Sequence, residues 1–127
     1  MALRGLTLDA AALISFDRGE RRAVALVARA RERGERLAVP AGAVGQAWRD
    51  GRRQVNLVRL LASDSCEIVP LDDTRARAAG QLCGVAGTSD VIDASVVLCA
   101  RERRHRVVTS DADDLHRLDP RIELVRV

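Results

Sequence analysis

Short apolar runs alternate along this chain with longer stretches in which apolar positions recur at helical spacing. Gly5-Leu6-Thr7-Leu8 has the pattern of a short strand ending at Asp9, and Ala10 to Phe16 follows as a helix. Between Glu20 and Arg33, Ala23, Leu26, Val27 and Ala30 fall at i, i+3, i+4 and i+7, opposite a face rich in Arg and Glu. That periodicity predicts an amphipathic helix, and Gly34 ends it. Leu37-Ala38-Val39 is a strand closed by Pro40. Ala41 to Asp50 follows as a helix weakened by Gly42 and Gly45, then Gln54 to Ala62 as a helix with Leu57, Leu60 and Leu61 on one face.

Glu67-Ile68-Val69 is a third strand, closed by Pro70, and Asp72 caps a helix running towards Val85. Gly80, Gly84 and Gly87 are expected to form its flexible stop. Asp90 to Arg104 has an apolar centre all round, Val96-Val97-Leu98-Cys99-Ala100, and so predicts a buried helix. Arg106 to Thr109 is a strand, Asp111 to Leu118 a short helix, and Ile122 to Val127 a last strand. Strands alternating with helices at short spacing form parallel β-α-β units with right-handed crossovers. The expected fold is a single α/β domain over residues 1–127: a three-layer α/β/α sandwich around a central, mostly parallel sheet of about five short strands.

Composition narrows the chemistry. The 21 basic residues are all Arg, with no Lys, against 12 Asp and 6 Glu, for a net charge of +3. Without Lys there is neither a Schiff-base enzyme nor a Walker-type phosphate loop. A phosphoacceptor receiver domain is disfavoured for the same reason, and because no Asp-Asp pair follows the first strand. With no Tyr, one Phe (Phe16) and one Trp (Trp48), a base-stacking nucleic-acid platform is not expected. There is no GxSxG elbow and no GxGxxG loop. Cys66, Cys83 and Cys99 are odd in number and form no CxxC or Cys/His ligand pattern, so they are expected as free thiols in a reducing compartment. With no signal peptide or membrane-length apolar run, the expected location is cytoplasmic.

The acids have a positional logic. In a parallel α/β sheet, ligands bind beyond the carboxyl ends of the strands, near the reversal in strand order. Asp9 follows the first strand, and Asp111 lies two residues past Val108 at the end of the fourth. Asp90 and Asp93 open the helix that runs back antiparallel to the sheet, and Gln46 sits in the first two turns after Pro40. Four chain segments thus deliver oxygen-bearing side chains to one edge. Helix capping is the competing explanation, since Asp is a leading N-cap residue and both Asp90/Asp93 and Ser110/Asp113 have capping-box spacing. Capping does not account for the convergence. Clustered carboxylates repel, and a hard divalent cation such as Mg²⁺ or Mn²⁺ relieves that cost.

Four motifs together carry a resemblance: Leu6-Thr7-Leu8-Asp9-Ala10-Ala11-Ala12-Leu13; Val39-Pro40 to Trp48-Arg49; Asp93-Ala94-Ser95-Val96-Val97-Leu98-Cys99-Ala100; and Val107-Val108-Thr109-Ser110-Asp111-Ala112-Asp113-Asp114-Leu115. In this order they resemble a PIN domain of the VapC toxin type, over essentially the whole chain. The resemblance implies an Mg²⁺-dependent (or Mn²⁺-dependent) endoribonuclease, the toxin of a type II toxin–antitoxin pair, usually a homodimer and neutralised by a small antitoxin protein. The family's acidic quartet maps onto Asp9, position 46, Asp93 and Asp111, with Asp90 and Asp114 as accessory metal-site acids. Position 46 departs from the pattern: the family usually has Glu, and this chain has Gln46. Asp90, Asp113 or Asp114 are candidates to compensate, whereas Glu67 and Glu102 fall on other elements.

The expected mechanism has Asp9, Asp93 and Asp111 holding one or two ions, with Gln46 positioning a water for attack on the RNA phosphodiester. The alternative is a catalytically weakened or inactive PIN-like domain that binds RNA or an antitoxin. Arg49, Arg52 and Arg53 are candidate RNA-phosphate contacts, and Arg101, Arg103, Arg104 and Arg106 are a structural run at the far edge. Trp48 is either core or a partner anchor. His105 and His116 lie on different elements and are not expected as ligands of an oxygen-rich site.

Overall fold

The computed structural model describes residues 5–127. In chain order the elements are β1 (Gly5–Leu8), α1 (Ala10–Asp17), α2 (Arg21–Glu32), β2 (Arg36–Pro40), α3 (Ala41–Ala47) and α4 (Val55–Leu61), then β3 (Cys66–Val69), α5 (Asp73–Ala86), α6 (Val91–Arg103), β4 (Arg106–Thr109), α7 (Ala112–Leu118) and β5 (Leu124–Arg126). The five strands form one parallel sheet in the order β3-β2-β1-β4-β5. The expected α/β/α sandwich is the observed architecture. The chain winds outward from β1 to β3, then returns to the other side of β1, so the reversal in strand order lies between β1 and β4.

Alternation along the strands builds the layers. Leu6 and Leu8 of β1, Leu37 and Val39 of β2 and Val108 of β4 pack beneath α1 to α4, together with Leu13, Val27, Leu57 and Leu60. Val107 faces the opposite way and packs with Val96, Val97, Leu115 and Leu118 of α6 and α7. Each such Leu or Val, buried to within 5% of full enclosure, contributes about 1.5–3 kcal/mol relative to an exposed position. The apolar centre of α6 is explained by its place between α5, α7 and the sheet.

Three element boundaries differ from the sequence expectation. The helix expected from Ala41 to Asp50 stops at Ala47: Trp48 is extended, and the Gln54 side chain gathers the loop by accepting from the Arg49 and Asp50 N–H groups while donating to the Ala47 carbonyl. Gly80 and Gly84 lie inside α5 and do not stop it; Gly87 does, in the left-handed conformation (φ 73°) with its N–H on the Cys83 carbonyl. The last strand shrinks to Leu124–Arg126, because the Ile122 N–H is taken by the Asp119 carbonyl in a turn. Trp48 is not a core residue. It is 40% exposed, and its indole lies so close over Gly51 that a Cβ there would meet it at 2.8 Å.

Candidate functional site

The carboxyl ends of β1 and β4 are held side by side by parallel pairing, Leu8 against Val108, and the Asp9 N–H continues the ladder onto the Val108 carbonyl. Asp9 therefore lies at the switch point with its backbone fixed. It is 6% exposed and caps α1, with Oδ1 accepting from the Ala12 N–H at 2.8 Å. Asp90 caps α6 in the same way, accepting from the Asp93 N–H at 2.9 Å. Asp93 and Asp111 cap nothing with their side chains: α7 starts at Asp111 without a side-chain cap, and Ser110 and Asp113 form no capping box. Capping thus accounts for one oxygen each of Asp9 and Asp90 and for none of Asp93 or Asp111. Asp9, Gln46, Asp90, Asp93, Asp111 and Asp114 line one open cavity of about 230 Å³. Asp113 does not line it.

The remaining acids are mostly paired or spoken for. Asp50 faces Arg52 and Arg53, Asp72 faces Arg75, Asp73 faces Arg77, Asp119 faces Arg101, and Glu67 and Glu102 both face Arg103. Among the described residues none of the five cleft carboxylates has an ion-pair partner. Their proton affinities follow. Burial raises the Asp9 pKa above the ordinary carboxylate value, with the Asp111 charge adding to it and hydrogen bonds from the Thr109 hydroxyl and the α1 N–H groups opposing it. Burial, then the charges of Asp90, Asp9 and Asp114, push Asp93 up to about 7. Asp111 is raised by its hydrogen bond with the Asp114 carboxyl, then by desolvation and the Asp114 charge.

Thr109 is a site residue that the sequence pattern left inside a strand. Its side chain is fully buried. The hydroxyl accepts the Asp111 N–H at 2.9 Å and hydrogen-bonds to Asp9, linking the acids that end β1 and β4. The available signal was a polar residue at the last position of an otherwise apolar strand. Gly42 is the second. A Cβ there would overlap Ile92, so the absence of a side chain lets α3, which carries Gln46, approach the first turn of α6, which carries Asp93.

The candidate RNA contacts divide. Arg49 lines a second cavity of about 220 Å³ that shares Gln46 with the acidic one. Arg52 and Arg53 line neither; they sit on the following turn against Asp50, with side chains about 90% exposed. Arg101 and Arg103 are tied into ion pairs at the opposite end of α6. His105 is buried there too, its Nδ1 3.1 Å from the Thr7 hydroxyl, and burial lowers its pKa. A small apolar cavity of about 60 Å³ bounded by Pro40, Val69, Leu98 and Cys99 has no convergent acids.

The donor set suits a hard divalent cation: oxygen donors only, clustered, without an internal counter-charge, with the Asp93 and Asp111 pKa values raised for lack of one. Among the described residues no three acidic, His or Cys side chains are arranged to ligate one ion directly as they stand. An Mg²⁺ ion, which keeps several of its waters, fits such a site through one or two carboxylates at a time.

No curated protein matches the sequence. Two solved structures share the fold. FitAB bound to an IR36 DNA fragment superposes with a TM-score of 0.66 at 17% identity, covering 95% of this chain and 94% of that one. VapBC2 from Rickettsia felis, bound to a DNA fragment from its promoter, gives 0.67 at 13% identity, covering 96% and 98%. The family model for the PIN domain matches residues 6–120, from the start of β1 to just beyond α7. With the acids collected at the β1/β4 switch point, this chain belongs to the PIN-domain family.

Proposed function

We propose that this protein is a divalent-cation-dependent endoribonuclease, the toxin of a toxin–antitoxin pair. The observation that carries the proposal is the set of unpaired carboxylates around one cavity at the switch point, next to a cavity lined by arginine. Asp9, Asp93 and Asp111 would hold Mg²⁺ or Mn²⁺, with Asp90 and Asp114 as further acids. When bound, the ion supplies neutralisation of the scissile phosphate and a lowered pKa for a coordinated water. The protein's own groups do the positioning. Thr109 orients Asp9, the two helix caps fix Asp9 and Asp90, and the Gln46 amide offers both a donor and an acceptor at the cavity wall.

The likeness to FitAB and VapBC2 supports an antitoxin partner, and the family resemblance supports a homodimer in the cytoplasm. The test is cleavage of a single-stranded RNA. The expected result is product formation in Mg²⁺ or Mn²⁺, lost in EDTA and lost in Asp9→Asn/Asp93→Asn protein. Undiminished cleavage under either condition would refute the assignment.

One observation favours a second reading, a PIN-like domain that binds RNA or an antitoxin without cutting: Gln46 is neutral, and no three acids converge directly on one point. Mn²⁺ binding, with and without Gln46→Glu, separates the two. A nuclease binds the ion with Gln46 in place; a non-catalytic domain acquires binding only with Glu.

A further inference from the structure

We propose that Arg18 and Arg49 form a phosphate-binding subsite that carries the RNA strand into the acidic cleft; the inference rests on the ribonuclease reading and gives it a substrate track. The cavity they line lies between the end of α1, the end of α3 and the loop before α4, and Gln46 belongs to its wall and to the wall of the acidic cavity. The two hollows thus share Gln46 as a common wall residue. Gln46 is exposed and makes no hydrogen bond among the described residues, so its amide is available at the junction.

The frame of the subsite is rigid while its cations are free. Asp17 also lines it, but its carboxylate accepts the Leu57 N–H at 3.0 Å and its carbonyl accepts from the Asn56 side chain. Those bonds staple the end of α1 to the start of α4, and the first-turn N–H offsets the carboxylate charge. Arg18 is the next residue; its backbone N–H is tied to the Ile14 carbonyl, and Gly19 (φ 72°), with its own N–H on the Phe16 carbonyl, turns the chain away behind it. The Arg18 side chain is exposed and has no carboxylate partner among the described residues. On the opposite wall, Gln54 pins the Arg49 backbone, and the Arg49 guanidinium meets only the carbonyls of Gly45 and Trp48.

Two guanidiniums without ion-pair partners among the described residues, set against the one hydrogen-bonded Asp17 carboxylate in their own cavity, lie beside five unpaired carboxylates and make a bipolar surface. The acidic half repels a polyanion in the absence of metal; the arginine half attracts it. Guanidinium forks match phosphate oxygens, and such contacts fix the register of a strand without reading its bases. A phosphate held between Arg18 and Arg49 brings the neighbouring backbone past Gln46. Arg52 and Arg53, offset by Asp50, take no part.

The test is fluorescence anisotropy of a labelled single-stranded oligoribonucleotide in EDTA, with full-length wild-type, Arg18→Ala, Arg49→Ala and Arg22→Ala proteins. Arg22 lies on α2, exposed and away from both cavities, and controls for net charge. The expected result is about 5- to 20-fold weaker binding for Arg18→Ala and for Arg49→Ala, with the salt slope reduced by about 0.7 each, and less than about twofold change for Arg22→Ala. Arg18→Lys restores part of the affinity. Equal losses in all three alanine variants, no loss in any, or no RNA binding by the wild type overturns the subsite. Unchanged RNA affinity in Arg18→Ala with lost affinity for a co-expressed partner protein also overturns it, assigning the groove to protein recognition. Arginine-dependent RNA binding by a protein that never cleaves RNA keeps the subsite and removes the nuclease; cleavage with KM and affinity untouched in both variants does the reverse.

Discussion

Asp93→Asn separates what the cleft costs from what it does. The Asp93 carboxyl titrates at about 7 in the folded protein against an ordinary 3.8, chiefly because it is desolvated and faces Asp90, Asp9 and Asp114. Below about pH 4 it is protonated whether the chain is folded or not. Between about 4 and 7 the folded state holds a proton that the unfolded state has released, so metal-free stability falls as pH rises through this window. Above pH 7 the whole penalty is present. A difference of about three pKa units corresponds to a ceiling of about 4 kcal/mol. Partial solvent access and the sharing of repulsion with Asp90 bring the expected value to about 1–2 kcal/mol. Asn keeps the shape and removes the charge.

In EDTA at pH 8 the variant should therefore melt about 3–8 °C above the wild type, and at pH 4.5 the two should converge. Added Mn²⁺ at pH 8 should raise the wild-type melting temperature, by preferential binding to the folded state, and leave the variant nearly unmoved. Thermal denaturation followed by circular dichroism across pH and metal reads all of this. A variant less stable than the wild type in EDTA at pH 8 would refute the reasoning, because it would mean that the Asp93 charge is stabilised rather than repelled.

Other outcomes follow from the same geometry. Gln46→Glu adds a sixth acid to the cavity, so it should lower metal-free stability at pH 8 and tighten Mn²⁺ binding at least severalfold by calorimetry. Thr109→Val removes the partner of the part-buried Asp111 N–H; urea denaturation should show a loss of about 0.5–1.5 kcal/mol, and RNA cleavage should fall with it. Gly42→Ala forces Ile92 aside where α3 meets α6; about 1–3 kcal/mol of stability should be lost, and metal affinity should weaken because Gln46 and Asp93 move apart. Leu13→Ala, at a fully buried position whose side chain packs in the apolar core, should cost about 2–5 kcal/mol without altering the metal dependence of cleavage per folded molecule.

The alternation of apolar runs with helix-period stretches was enough to place all five strands, because the central strands are short and apolar and even the partly exposed edge strands β3 and β5 keep apolar residues between turn signals. Parallel connectivity then put the carboxyl ends of the strands, and with them Asp9, Asp93 and Asp111, on one edge, while the order β3-β2-β1-β4-β5 came only from the structure. The boundaries that slipped at Ala47 and Ile122 are those set by hydrogen bonds within loops and turns. Nothing near Ala47 announces that the Gln54 side chain will end α3, and nothing near Ile122 announces the turn to Asp119. Gly80 and Gly84 carry the composition of a stop, yet α5 continues through them because its packing against α6 outweighs their low helix propensity. Within the site, carboxylates were legible by residue type. Thr109 and Gly42 were not, since their contributions are an orientation and an absent side chain. The division between Arg49 on one hand and Arg52 and Arg53 on the other depended on the Asp50 turn, which local sequence does not fix.

Calorimetric titration of Mn²⁺ into the wild-type protein and into Asp9→Asn/Asp93→Asn protein, at pH 6 and pH 8, tests the central claim most directly. Saturable binding by the wild type is expected, tighter at pH 8, with protons released as the ion displaces them from Asp93, and no measurable binding by the double variant. Equal binding by both proteins, or no binding by the wild type at either pH, would contradict a cation-binding role for the acidic cleft.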